Sequence, residues 1–142
     1  MRGFKRIKAW QRAHALSVAA HKRTKRFPRA GYARLRAQLT AAVDSIKDTI
    51  AEGCGAATNK EFARFLDMSI QSANETEGHL LSARDLGLFS SDEWQKFTAE
   101  TIEIRKMVYA YRKRSSRLPT TNDVCRSPAE LSSPLSSLSS ES

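Results

Sequence analysis

SSDEWQKFTAETIEIRKMVYAYRKRS, running from Ser90 to Ser115, is the stretch on which the fold turns. Trp94, Phe97, Thr101, Ile104, Val108 and Tyr111 recur at intervals that alternate between three and four residues. That spacing is the a/d seam of a helix packed lengthwise on other helices, because a 3.5-residue repeat keeps one stripe facing its neighbours. Ser90 and Glu93 stand in capping-box register and predict the start; the pattern continues to about Ser115.

Working back along the chain, Thr58 and Glu61 repeat the capping box and predict a helix from Asn59 to about Leu86, stopped at Gly87. Phe62, Phe65, Leu66, Ser69, Ala73, Thr76, Leu80 and Ala83 form its apolar face. Met68, Glu75, His79 and Leu86 form a second edge that one core does not require. Before it, Leu35, Leu39, Ala42, Val43, Ile46 and Ile50 mark a helix from Tyr32 to Glu52, closing at Gly53, where glycine adopts a left-handed residue at little cost. A first helix is predicted from Phe4 to Arg26, with Ala9, Trp10, Ala13, Leu16, Ala20 and Phe27 on one arc, followed by a Pro/Gly turn at Phe27 to Gly31. Short connections make the economical arrangement an all-α, antiparallel up-down-up-down four-helix bundle over residues 1–115. Residues 116–142 are rich in Ser and Pro and poor in aromatics, a composition that predicts a disordered tail.

Charge is distributed unevenly. Twelve of the 24 Lys and Arg precede the first acid, Asp44, and the other twelve face all 15 acids. On the first helix Lys5, Lys8, Arg12, Lys22, Arg23 and Arg26 fall on the arc beside the apolar one, forming a stripe; Arg29, Arg34 and Arg36 extend it. Such a surface complements a polyanion or serves as a solubility device. Bundle topology further brings Arg2, Lys5, Arg6 and Lys8 toward Arg112, Lys113, Arg114 and Arg117 at one pole.

A catalytic constellation is not found: the chain has no phosphate-cradling Gly-rich loop, no HExxH and no nucleophile elbow, and is read as no enzyme. Glu75 and His79 share a helical face, but bundle metal sites repeat a Glu-x-x-His spacing, so a hydrogen-bonded interface pair is the expectation, with no metal or cofactor. His14 and His21 read as boundary residues of helix one. Glu52 closes an apolar run at a helix C-terminus, where the dipole disfavours negative charge, so a basic neighbour is expected to answer it. Cys54 and Cys125 show no CxxC pairing and no disulfide framework, which points to a reducing cytoplasm. Gln11, Arg12 and His14 interrupt any signal-peptide core; the acid-free start imitates a mitochondrial transit peptide, but its aromatic anchors argue for a folded helix. No apolar run has the length to cross a bilayer, so no membrane partner is expected.

Ordered motifs carry a family resemblance. Lys8-Ala9-Trp10-Gln11-Arg12-Ala13-His14, then Gln38-Leu39 leading to Ser45-Ile46-Lys47-Asp48-Thr49-Ile50-Ala51-Glu52-Gly53, then Lys60-Glu61-Phe62-Ala63-Arg64-Phe65-Leu66 and Ala83-Arg84-Asp85-Leu86-Gly87, resemble the bacterial four-helix-bundle family named for 23S rRNA intervening sequences. The match spans Phe4 to about Arg114, with Lys47, Thr49 and Gln71 where the family usually carries Pro, Asn and Gly. The resemblance implies a homopentamer, similar to the accessory variability determinant of diversity-generating retroelements, a basic pentamer that binds a reverse transcriptase and RNA. Met68, Glu75, His79 and Leu86 would then lie in the subunit interface.

Two functions compete at this level. In one, Lys5, Lys8, Arg12, Lys22, Arg23, Arg26, Arg29, Arg34 and Arg36 contact the phosphates of a nucleic acid, RNA in the first place, without reading bases. Helix one's charged arc lacks the interleaved Asn, Gln or exposed aromatics that base readout uses. In the other, the chain is a protein-interaction adaptor, for instance for a reverse transcriptase.

Overall fold

The computed structural model describes residues 3–115. Within them the order is one 3-10 turn at Phe4–Arg6, then α1 (Lys8–Thr24), α2 (Ala33–Gly53), α3 (Asn59–Asp85) and α4 (Ser91–Ser115). The predicted disordered tail, 116–142, lies outside the described residues. Side-chain partners show the direction of each helix. Arg12 meets Glu100 while Arg23 meets Glu93, so α1 and α4 are antiparallel. Ser17 reaches Asp44 while Arg36 reaches Thr24, so α1 and α2 are antiparallel. Ser69 and Ser72 bond Ile46 and Ser45, and Gly53 lies against Phe62, which opposes α2 to α3. Arg105 bonds Glu77 while Arg112 bonds Asp67, which opposes α3 to α4. The described residues form an up-down-up-down four-helix bundle.

Leu39, Val43, Ile46, Ile50, Phe62, Leu66, Leu80, Ile104 and Val108 are fully buried between the helices. Each such side chain contributes roughly 1.5–3 kcal/mol by leaving water, so losing a few would exhaust a typical net stability of about 5–15 kcal/mol. On α1 the core positions are largely Ala9, Ala13 and Ala20, small enough for a close approach. Thr101 stands in the α4 seam with no exposed surface. Its hydroxyl donates to the Phe97 carbonyl of its own helix at 2.8 Å, so the buried polar atom is satisfied. Thr49 and Thr76 do the same.

Two ends differ from the sequence expectation. Helix one does not start at Phe4: Ile7 takes an extended conformation (φ −73°, ψ 122°), separating the 3-10 turn from α1. Phe4 folds back edge-on to Trp10, with ring centroids 5.1 Å apart, and Ile7 is buried, so packing overrides the continuous periodicity. Gly53 is not a left-handed stop but the last residue of α2, with Cys54 beyond it still right-handed. A Cβ at Gly53 would lie 2.9 Å from Phe62 Cδ1 and 3.0 Å from Phe65 Cβ, so glycine is needed there for the contact between α2 and α3. Gly87 behaves as predicted: φ is +77°, its N–H bonds the Arg84 carbonyl and the Leu88 N–H bonds that of Ala83, a Schellman motif. Cys54 is buried, and Cys125 lies outside the described residues.

Candidate nucleic-acid interface

The acid-free segment divides into cations that hold the bundle and cations that face water. Arg12 makes a two-pronged pair with Glu100 across the α1/α4 seam, at 2.8 and 2.5 Å. Those hydrogen bonds raise the guanidinium's pKa above its ordinary value. Arg23 is held more tightly, its side chain only 14% exposed. It bonds both oxygens of Glu93 at 2.7 and 3.0 Å, donates to the Leu88 carbonyl at 2.8 Å, and lies 5.0 Å from the Phe89 ring centroid. Glu93 is simultaneously the capping-box acid: its carboxylate accepts from the Ser90 N–H while the Ser90 hydroxyl accepts from the Glu93 N–H, each at 3.1 Å. Arg23 first, and Ser90 after it, lower the Glu93 pKa to about 2. Arg36 donates to the carbonyl of Thr24, the last residue of α1, satisfying one of that helix end's orphan acceptors. These three arginines of the predicted stripe are structural.

The remainder do not form one stripe. Lys5 and Lys8 are exposed at the start of α1; Lys22, Arg26, Arg29 and Arg34 are exposed where α1 turns into α2, joined by Lys25, which the helical arc had omitted. None of these seven makes an ion pair among the described residues. Lys8 and Lys22 are separated by about 21 Å of helix, well beyond a Debye length of roughly 8 Å at physiological salt. Two cationic clusters therefore act independently, and the larger is the α1–α2 corner.

That corner is anchored by packing at Phe27. Phe27 is buried with its ring edge-on to Phe89, centroids 5.5 Å apart, and its N–H bonds the Thr24 carbonyl. Gly31 takes a φ of +90°, which admits the turn between Arg29 and Arg34. Through Arg23 the corner is also tied to the α3–α4 turn. Its exposed cations are thus mounted on an ordered platform, a condition that lowers the entropy cost of binding.

At the other pole Arg112 is engaged by Asp67 at 2.9 Å, and Arg2 and Arg117 lie outside the described residues. His21 bonds both oxygens of Asp44 at 2.9 Å, and Ser17 bonds the same carboxylate; this ties α1 to α2 and leaves no imidazole between serine and acid. Glu52 is exposed and felt by Arg64, which pairs with Glu61 at 2.7 Å. On the α2/α3 face Glu75 and His79 line a groove of about 280 Å³ with Gln38, Ala41, Ala42, Ser45 and Ser72. Met68 on α3 and Leu86 just beyond its end are exposed, Leu86 by 54%. The four residues of the second edge thus remain outside the bundle core.

The 23S rRNA-intervening sequence protein family model matches residues 5–110. Among solved structures, the chain is similar to a protein of unknown function from the S23 ribosomal protein family of Bacteroides thetaiotaomicron. The two share 20% identity and a TM-score of 0.65 over 74% of this chain and 98% of the other, a likeness of fold. No curated protein matches the sequence.

Proposed function

From the premise that the chain belongs to the 23S rRNA-intervening sequence protein family, we propose that it is a non-enzymatic scaffold that binds RNA through phosphate contacts at the α1–α2 corner. One observation carries this reading: Lys22, Lys25, Arg26, Arg29 and Arg34 are exposed and without ion pairs among the described residues, around a turn anchored by buried Phe27 in a segment free of acids. A solubility device needs charge but no anchored mounting, whereas phosphate contacts profit from both. Lys5 and Lys8 form a second, smaller contact. The protein acts in the cytoplasm in this reading.

Assembly enters the proposal through the α2/α3 face. Glu75 and His79 border a floor of Ala and Ser side chains, and Met68 and Leu86 are exposed before and after them in the sequence, a surface suited to close approach of a second copy. A homopentamer would repeat the corner around an axis and multiply weak phosphate binding by avidity. The same exposed side chains, with Leu81, favour a second reading as a protein-interaction adaptor, such as a retroelement accessory protein that binds a reverse transcriptase.

The test is anisotropy titration of the purified protein with labelled RNA over a range of salt. Affinity should fall steeply as salt rises, with a slope of about −0.7 per phosphate neutralised on a single strand. No binding at low salt would contradict the RNA reading and leave the adaptor reading standing. Light scattering on the same sample tests the ring: a monomer at high concentration would contradict it.

A further inference from the structure

Outside the acid-free segment, α4 presents a second arrangement suited to nucleic acid. Tyr109 is 56% exposed, the largest exposure among the large hydrophobic side chains described. It stands in the run Arg105-Lys106-Met107-Val108-Tyr109-Ala110-Tyr111-Arg112-Lys113, with cations one helical turn before and one turn after. Lys113 Nζ lies 5.8 Å from its ring centroid. On the side toward α3, Tyr109 borders an open cleft of about 310 Å³ whose other walls are Ile70, Arg105 and Lys106.

The walls of this cleft are fixed. Arg105 donates to Asn74 at 2.8 Å and to Glu77 at 2.6 Å, which locks the α3 and α4 sides together. Arg112 is likewise held by Asp67. Lys106 pairs with Glu103 at 3.4 Å between two exposed side chains, a pairing weak enough for a phosphate to displace. The cleft thus combines an aromatic face, an apolar floor at Ile70 and an exposed ammonium at its rim. A π face beside cations is the pattern that receives an unpaired nucleobase while the neighbouring phosphates meet the charges.

We propose that Tyr109 is a stacking platform for one unpaired base of a single-stranded RNA, with Lys106 and Lys113 contacting the phosphates on either side of that base. The proposal rests on the RNA reading above and deepens it: it adds a preference for single strands that the corner alone does not provide. The two sites are separable. Glu93, bound by Arg23 near the corner, and Tyr109 are about 24 Å apart along α4.

The experiment compares two labelled strands of about 12 nucleotides, oligouridine RNA and an abasic strand of the same length, against the wild type, Tyr109→Ala and Tyr109→Phe. The wild type should bind oligouridine about tenfold more tightly than the abasic strand. Tyr109→Ala should lose most of that difference without changing abasic binding, and Tyr109→Phe should keep it, since stacking needs the ring and not the hydroxyl. Equal binding of both strands by the wild type would overturn the stacking site and leave the phosphate corner intact. A Tyr109→Ala variant that binds as the wild type does, or that weakens equally on both strands, would also overturn it. So would a change of mass by light scattering in that variant, which would assign the ring to a subunit contact. Failure of either strand to bind at all would remove the RNA reading together with this one.

Discussion

Arg23 and Arg26 lie on neighbouring turns of one acid-free segment and carry the same charge, yet the bundle uses them in opposite ways. Arg23 is enclosed by Glu93, the Leu88 carbonyl and the Phe89 ring, whereas Arg26 projects from the corner with no ion pair among the described residues. The difference comes from the partner helix: α4 offers Glu93 and Glu100 along the α1/α4 seam, whereas no acid among the described residues pairs with Arg26. A cluster of basic residues in sequence is therefore not one surface, and the count of charges overstates what a polyanion can reach.

Removing charge from the held and the exposed arginines should have unequal consequences. The largest effect is expected for Arg23→Ala, which leaves Glu93 without its partner and loosens the turn that holds Phe27. Chemical denaturation should show a loss of roughly 3 kcal/mol. Arg12→Ala should cost less, about 1 kcal/mol, because its pair with Glu100 is about one-third exposed on each side. Lys22→Gln, Arg26→Gln, Arg29→Gln and Arg34→Gln should each change stability by no more than about 0.5 kcal/mol. A corner variant that unfolds as readily as Arg23→Ala would erase the distinction.

Acid sharpens the same contrast. Glu93 has its pKa lowered from 4.5 to about 2 in the folded chain. A carboxylate held down in this way adds stability that is complete above about pH 4.5 and is lost as pH falls toward 2. Comparing denaturation midpoints at neutral pH and at about pH 3 should show a smaller drop in Glu93→Gln than in the wild type.

Much of the bundle is legible in local sequence. The starts at Asn59 and Ser91 follow from Thr58 and Ser90, whose side chains accept from Glu61 and Glu93, and the end at Asp85 follows from Gly87. The features that escape such reading depend on groups distant in the chain. Nothing near Gly53 announces that Phe62 and Phe65 pack against its α-carbon, and Gly53→Ala should destabilise by about 1 kcal/mol, crowding of roughly 1–3 kcal/mol being partly offset by a helix-propensity gain of up to about 1. Arg23 meets Glu93 seventy positions away, so its periodicity on α1 says where it points and not what receives it. Tyr109 is the contrary case: the a/d spacing puts Val108 and Tyr111 on the seam and leaves Tyr109 off it, and only the cleft beside its ring depends on the placement of α3.

The division between held and exposed cations is tested most directly by the salt dependence of RNA binding in two single variants, Arg26→Gln and Arg12→Gln, against the wild type. Removing one phosphate contact should flatten the slope of log affinity against log salt by about 0.7 for single-stranded RNA. The account predicts that flattening in Arg26→Gln and an unchanged slope in Arg12→Gln, since Arg12 is already neutralised by Glu100. A slope that falls in Arg12→Gln and stays fixed in Arg26→Gln would contradict it.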